Sequence, residues 1–344
     1  MTINIAILGA GRWGVHLVRN FLALPQVRLL AVVDPNLDRL EDVRSRHQLN
    51  DTVVLATQWS QVRQLPELNA VVIATPASTH YELVADALNL GYHVLAEKPL
   101  TLNPHESGEL CHLAEQQQRQ LVVDQTYLFH PAVAQGKKVM EQGILGDLRY
   151  GYATRTNLGP VRQDVDAMWD LAIHDIAIFN NWLSEIPDQV QASGRLWLPT
   201  TEATENSPEN PLYDLVWVTL TYPSGFQAFI HVSWLNPDKQ RRLGVVGSQG
   251  TLIFDELSAA APLSIQKGNF AVLGNKFNPE NLSFEVVNIP KLEPLKQVCE
   301  HFITCVQQNQ PSSVSSGWVG TKLVEILYGL TKSLQQGGQP IKLS

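Results

Sequence analysis

Lys98 is the first residue whose type and place can do chemistry. It follows Val94-Leu95-Ala96-Glu97 and precedes Pro99. The apolar residues read as the end of a buried strand, which hands over a carboxylate, then an amine, then a proline that stops the strand. Ligands of an open α/β sheet gather at the carboxyl ends of its strands. A lysine placed there can hydrogen-bond a reacting oxygen or pass on a proton. The second candidate pair is Asp170 and His174. Residues four apart on a helix share one face, and a carboxylate beside an imidazole can orient it and tune it as a general base. The same pair could hold a metal, but no third ligand of suitable spacing accompanies it, so no metal is expected. Each group also has a plainer reading: Lys98 as a loop lysine, and Asp170 with His174 as a satisfied pair at a core edge.

The elements that must position Lys98 begin at the N-terminus. Ile3 to Leu8 reads as a buried strand, Gly9-Ala10-Gly11-Arg12-Trp13-Gly14 follows, and Val15, Leu17, Val18, Phe21 and Leu22 repeat at helical spacing. A glycine motif between a strand and a helix is a dinucleotide fingerprint. Gly9 allows the tight turn, Gly11 lets backbone approach a pyrophosphate, and Gly14 lets helix and strand pack closely. The helix N-terminus offers N–H groups to phosphate. Residues 28–33 form a second strand ending at Asp34, which lies 34 − 14 = 20 residues after the last glycine. An acid at that distance binds the ribose hydroxyls and repels a 2′-phosphate, so NAD is expected over NADP. The alternative for Asp34 is a turn opener before Pro35-Asn36.

Strand 71–74 ends in Thr75-Pro76, a helix carries His80, strand 93–97 leads to Lys98, a helix spans 104–118, and a strand spans 121–124. This alternation predicts a doubly wound parallel sheet, an α/β Rossmann domain, over residues 1–125. His80 reads equally as a structural residue of its helix and as a cofactor neighbour.

Composition narrows the class of partner. With 344 residues, two domains are expected, and 25 Lys plus Arg against 33 Asp plus Glu give a net charge of −8. Such a surface argues against nucleic acid and anionic membranes. The three cysteines, Cys111, Cys299 and Cys305, form no CxxC pair, which points to a reducing, cytoplasmic setting. Neither a signal peptide nor an apolar run of about 18 residues is visible.

The ordered pieces Gly9-Ala10-Gly11-Arg12-Trp13-Gly14, Ala74-Thr75-Pro76 with His80, and Gly91-Tyr92-His93-Val94 running into Glu97-Lys98-Pro99 resemble the Gfo/Idh/MocA oxidoreductase family. The resemblance implies that Lys98 faces the nicotinamide and the substrate, and that Thr75 and Pro76 line the cofactor cleft. It extends the cofactor-binding set to Gly9, Gly11, Arg12, Trp13, Gly14, Asp34, Thr75, Pro76, His80, Glu97 and Lys98.

Residues 126–344 read as a second, α+β domain with an open, mostly antiparallel sheet for substrate binding and oligomerisation, its last helix packing back on the first domain. A connecting helix covers 129–146 and a strand 148–156; further strands are expected at 189–196, 213–222, 226–234, 241–247 and 251–255. The acidic run 200–211 reads as a surface loop, and helices close the chain at 292–308 and 318–334. Phe226 to Leu235 carries large apolar groups on both faces, so both are expected to be covered, one by a second subunit of a homodimer or homotetramer. Asp170 and His174 match the family's aspartate and histidine four apart. Arg155-Thr156-Asn157-Leu158-Gly159 ahead of Trp169 to Asp175 looks most like its nucleotide-sugar 3-dehydrogenase branch. Thr126-Tyr127 stands where many members have Asn-Arg, so the substrate does not carry over by simple analogy.

The site is therefore expected between the domains, with Lys98, Asp170 and His174 catalytic and Lys98, Tyr127, Arg155, Asn157 and His174 on the substrate. The expected reaction oxidises a secondary alcohol of a sugar or nucleotide-sugar with NAD, or reverses it. The alternatives are a non-catalytic NAD sensor and a reductase of a non-sugar.

Overall fold

The computed structural model describes residues 2–198 and 211–343; most of the expected 200–211 loop lies outside them. The chain divides into two compact units, Met1–Phe129 with Leu292–Val324, and His130–Lys291 with Glu325–Ser344.

In the first unit the chain runs β1 (Ile3–Leu8), α1 (Gly14–Leu22), β2 (Val27–Val33), α2 (Leu37–His47), β3 (Val54–Ala56), β4 (Ala70–Ile73), α3 (His80–Asn89), β5 (His93–Glu97), α4 (Pro104–Gln116) and β6 (Leu121–Asp124). The six strands form one parallel sheet in the order β3-β2-β1-β4-β5-β6. Such strands are buried on both faces and therefore read as continuous apolar runs. Ile5 and Ile7 join one core cluster while Ala6 and Leu8 join the other. The first cluster is completed from far along the sequence, by Leu295, Val298, Phe302 and Ile303. That apolar stripe explains why residues 292–324 belong to this unit.

The second unit begins with α5 (Pro131–Glu141), β7 (Leu148–Leu158), α6 (Ile173–Leu183) and β8 (Gln189–Arg195). It continues through β9 (Leu215–Thr221), β10 (Gln227–Ser233), β11 (Leu235–Gly247), β12 (Gly250–Asp255), β13 (Leu263–Leu273) and β14 (Lys276–Val286). Then follow α7 (Pro294–Gln308), which lies in the first unit, α8 (Gly317–Gln335), and the short β15 (Ile341–Lys342). The sheet order is β14-β13-β12-β11-β7-β10-β9-β8-β15. Among these ladders only β7–β10 is parallel; the others are antiparallel.

The β13–β14 hairpin was not read from the sequence. Every residue of β14 is exposed, so no burial pattern marks it as a strand. The two faces of β10 differ within this chain. Ala228, Ile230 and Val232 are buried, whereas Gln227 and Phe229 are exposed.

Candidate active site

The glycine turn of the first unit is built as its sequence demands. Gly9 has φ +97°, and a Cβ on Gly14 would lie 1.9 Å from the Gly9 carbonyl oxygen. A side chain at either position would break the turn. Gly11 differs: the nearest atom to its missing Cβ is Arg39 Nη1 at 3.8 Å. That open space above backbone fits a pyrophosphate group, and the residues therefore suit NAD.

Asp34 is buried at the end of β2. Its Oδ2 accepts from the Ala10 amide at 2.8 Å and its Oδ1 from the Asn36 amide at 2.9 Å. The carboxylate thus braces the glycine turn, and each oxygen keeps a second lone pair for a ribose hydroxyl. Arg39 Nη1 stands 3.7 Å from Oδ2. Arg12 and Trp13 lie exposed within the turn.

His80 is 1% exposed and bridges two turns. Its Nδ1 lies 2.9 Å from the Pro99 carbonyl and its Nε2 2.9 Å from the Thr75 carbonyl. It clamps the turn after β4 to the turn that carries Lys98. The same turn is tightened by Thr79 Oγ1, 2.7 Å from Thr75 Oγ1 and donating to the Pro76 carbonyl at 2.8 Å.

Glu97 and Asp124 are register partners at the ends of β5 and β6. Burial, and then the Asp124 carboxylate, push the Glu97 carboxyl well above its ordinary range. Two buried carboxyls side by side coexist by holding a proton between them. Asp124 also accepts from Trp13 Nε1 at 3.1 Å and from Thr126 Oγ1 at 2.7 Å. The pair therefore ties the glycine turn to the strand end beside Lys98, itself half-buried. Asp124 was missed in the sequence. Aligning the ends of adjacent parallel strands would have found it. Tyr127 is half-buried in a 3-10 turn, Thr126–Phe129.

In the second unit, residues 168–172 form a π-helical turn that passes into α6 at Ile173. Asp170 lies in the wide turn and His174 at the start of the α-helix. Single π-turns inside helices recur at functional sites. Asp170 Oδ2 accepts from Trp234 Nε1 at 3.3 Å and Oδ1 from Arg162 Nη1 at 3.3 Å. Arg162 is itself held by Asp164, Nε to Oδ1 at 2.8 Å. Asp166 caps the turn, accepting from the Trp169 amide at 2.9 Å. Burial pushes its carboxyl up to about 7. None of Arg162, Asp166 and Trp234 was singled out in the sequence: Trp234 comes from 64 residues away, while Arg162 and Asp166 make local contacts from within the polar run that was read only as a loop.

Arg155, expected on the substrate, is 2% exposed. Its Nε and Nη2 meet Asp175 Oδ2 and Oδ1 at 3.0 and 2.8 Å, which fastens β7 to α6. It therefore holds the site helix in place. Asn157 is half-buried; its Nδ2 donates to the Gly159 carbonyl at 2.6 Å and its Oδ1 accepts from Arg241 Nη2 at 2.7 Å.

The glycine turn, the bracing aspartate and the parallel sheet define an NAD-binding oxidoreductase. Residues 3–125 match the oxidoreductase family with an NAD-binding Rossmann fold, and residues 133–253 match the GFO/IDH/MocA C-terminal domain. The chain belongs to the Gfo/Idh/MocA family. The scyllo-inositol 2-dehydrogenase (NAD(+)) of Bacillus subtilis (strain 168) is 25% identical over 358 aligned positions, covering 99% of this chain and 96% of that protein. A UDP-N-acetylglucosamine 3-dehydrogenase of Acidithiobacillus ferrooxidans is 25% identical over 310 positions, covering 90% of each. A solved structure of a UDP-N-acetylglucosamine 3-dehydrogenase from that organism shares the fold, with a TM-score of 0.80 at 22% identity, covering 98% of this chain and 99% of the other.

Proposed function

We propose that the chain oxidises a secondary alcohol of a sugar or nucleotide-sugar to a ketone, or runs the reverse, with NAD. The observation that carries this reading is the placement of Asp170. Its two oxygens are held by Trp234 and Arg162, on the turn that leads directly into His174. A fixed carboxylate one turn before an imidazole suits a general base. The relatives support the reading, since one acts on an inositol and another on a nucleotide-sugar.

When bound, NAD supplies the hydride acceptor for the alcohol carbon. Gly9, Gly11, Arg12, Trp13 and Gly14 would hold its diphosphate, Asp34 its ribose hydroxyls, and Thr75 and Pro76 would line its cleft. His174 takes the hydroxyl proton, with Asp170 orienting it. Lys98 hydrogen-bonds the reacting oxygen and relays the proton. Glu97 and His80 act through the turns they fasten. Tyr127 and Asn157 stay in the substrate set, while Arg155 acts through Asp175.

A screen of free sugars, inositols and nucleotide-sugars with NAD, followed by NADH absorbance, tests the reading. Turnover of at least one class is expected; no NADH with any of them rejects it.

The open face of the second unit's sheet suits a homodimer or homotetramer. Tyr150, Trp217 and Phe229 are exposed there by 43%, 52% and 41%, and the Trp217 ring stacks on His231 at 4.1 Å. Sedimentation at micromolar concentration should show an oligomer; a monomer refutes it. Among the described residues no helix is long and apolar enough to cross a membrane. Three buried free cysteines and NAD chemistry suit the cytoplasm.

A further inference from the structure

The carboxyl pair at the ends of β5 and β6 holds a proton where the cofactor must approach. Asp124 has a donor on each oxygen, Trp13 Nε1 on Oδ2 and Thr126 Oγ1 on Oδ1. Such bonds favour its charged form. Glu97 has fewer. Its Oε2 accepts from the Lys98 amide at 3.3 Å, while its enclosed Oε1 receives no N–H or O–H among the described residues. A proton on Glu97, hydrogen-bonded to Asp124, completes the pair. Asp124 is therefore the carboxylate and Glu97 the acid. The groups around them act on that proton in known directions. Lys98, next on the chain, favours ionisation of Glu97, and Asp124 opposes it. From α7, Cys299 lies within range of both carboxyls and of Glu293 and Glu300; burial, then these acids, hold its thiol up and neutral. His80, across the turn, has both ring nitrogens on carbonyls.

The fold decides which part of the cofactor comes here. The sheet order β3-β2-β1-β4-β5-β6 reverses between β1 and β4, and a dinucleotide lies across that point. The glycine turn after β1 suits its diphosphate, and Asp34 after β2 suits the ribose of one nucleoside. The nicotinamide half is thereby left the carboxyl ends of β4, β5 and β6, where Glu97 and Asp124 stand.

We propose that the proton held by Glu97 and Asp124 is released to solvent when NAD+ binds and kept when NADH binds, so that Glu97 distinguishes the oxidised from the reduced cofactor. The nicotinamide ring is a cation in NAD+ and neutral in NADH. A cation beside the pair favours the ionised carboxyl, and a neutral ring does not. The O–H bond of Glu97 breaks, its proton passes to solvent, and the carboxylate left behind balances the charge of the ring; nothing is oxidised or reduced. Glu97 is half-buried, so the proton has a way out. The effect involves the NAD site alone and is independent of the substrate.

The test titrates NAD+ and NADH calorimetrically into the full-length protein in buffers of different ionisation heat, from about pH 6 to about pH 9. The dependence on buffer counts the protons. NAD+ should release up to one proton more than NADH. Its affinity relative to NADH should rise with pH by up to about tenfold per pH unit, one proton being the limit. Glu97→Gln keeps a hydrogen bond to Asp124 but cannot ionise. It should abolish the difference in proton count and flatten the pH dependence of the NAD+ to NADH affinity ratio, with the melting temperature near wild type. Asp124→Asn, the second variant should Glu97→Gln fold poorly, removes the charge that keeps the proton on Glu97 and should move the pH dependence to lower pH. Lys98→Met should still release the proton. Equal proton counts for the two forms across the range overturn the inference. So does a difference that survives in Glu97→Gln, which would place the proton on another group. A Glu97→Gln variant that only weakens both forms alike, or a wild type that binds neither, overturns it as well.

Discussion

Asp34, beside the glycine turn of the first unit, and Asp170, in the π-turn of the second, are fastened in opposite ways. In the glycine turn, Asp34 is held by backbone amides of Ala10 and Asn36, and His80 by the carbonyls of Thr75 and Pro99. In the π-turn, Asp170 is held by the side chains of Trp234 and Arg162, and α6 by the Arg155–Asp175 pair. Backbone fastening depends on turn geometry and tolerates change in distant side chains. Side-chain fastening depends on residues contributed by other elements and is vulnerable to each of them. Variants in the two regions should therefore fail differently.

The largest effect is expected where chemistry is lost outright. His174→Ala removes the base, and Lys98→Met keeps the apolar stem while removing charge and donors. Loss of general acid–base catalysis typically costs roughly 100- to 10,000-fold in rate. Turnover should fall by that order while NAD affinity and the melting temperature with NAD stay near wild type. Retained turnover in Lys98→Met refutes its catalytic role and favours an NAD sensor. Lost NAD binding makes Lys98 a cofactor residue instead.

The next effect is on the scaffold of the second unit. Arg155 and Asp175 are both almost fully buried, with side chains 3% and 2% exposed. Removing one partner of such a pair costs ~3–5 kcal/mol, because a charge is left buried without its counterion. Arg155→Met should lower denaturant stability by that order, and adding Asp175→Leu should recover much of it. A single variant as stable as wild type would show that α6 is held by packing alone.

A smaller effect comes from pH. Burial pushes Asp166 up to about 7, and the Asp170 charge adds to this while the Trp169 and Met168 amides oppose it. An unfolded aspartate titrates near about 3.9. The folded state thus favours the protonated form, and stability present below the unfolded pKa is lost as pH rises through about 7. Asp166→Asn keeps an acceptor for the Trp169 amide but cannot ionise. Relative to wild type its melting temperature should rise between pH 5 and pH 8, by a few degrees. A difference that stays flat with pH refutes the titration.

The two regions also differ in how readable they were. Gly9, Gly11, Gly14 and Asp34 lie within one strand–turn–helix unit, so their roles follow from spacing that the chain carries locally. The apolar runs of β1, β2, β4, β5 and β6 are likewise local, and the parallel sheet follows from them. Asp170 and His174 were visible as a pair. Trp234, which holds Asp170, was not, since it lies 64 residues away. Arg155 was given to the substrate because a strand-end arginine looks available until Asp175 is placed against it. Helix α7 shows the same limit. Its apolar stripe marks a helix, but only the fold says that it covers β1 and α1.

The smallest effect sharpens the comparison at the cofactor end. Asp34 does two jobs: it braces the Ala10 amide, and its remaining lone pairs suit ribose hydroxyls. Arg39 stands 3.7 Å away with its side chain 57% exposed. An acid at this position repels a 2′-phosphate, and an arginine nearby accommodates one. Fluorescence titration should therefore show NAD binding more tightly than NADP in wild type. Asp34→Ala removes both the brace and the repulsion. A hydrogen bond to a charged group contributes about 1.5–3 kcal/mol, so NAD affinity should drop by roughly tenfold or more while the gap to NADP narrows. Arg39→Ala should leave NAD within about threefold of wild type, because an exposed ion pair contributes little, and should weaken NADP more than NAD. Tighter NADP binding in wild type would mean that Arg39, rather than Asp34, reads the ribose. A fall in NAD affinity with Arg39→Ala as large as that with Asp34→Ala would mean that Asp34 needs Arg39 to stay in place. Backbone fastening would then not be sufficient even in the region where it is most complete.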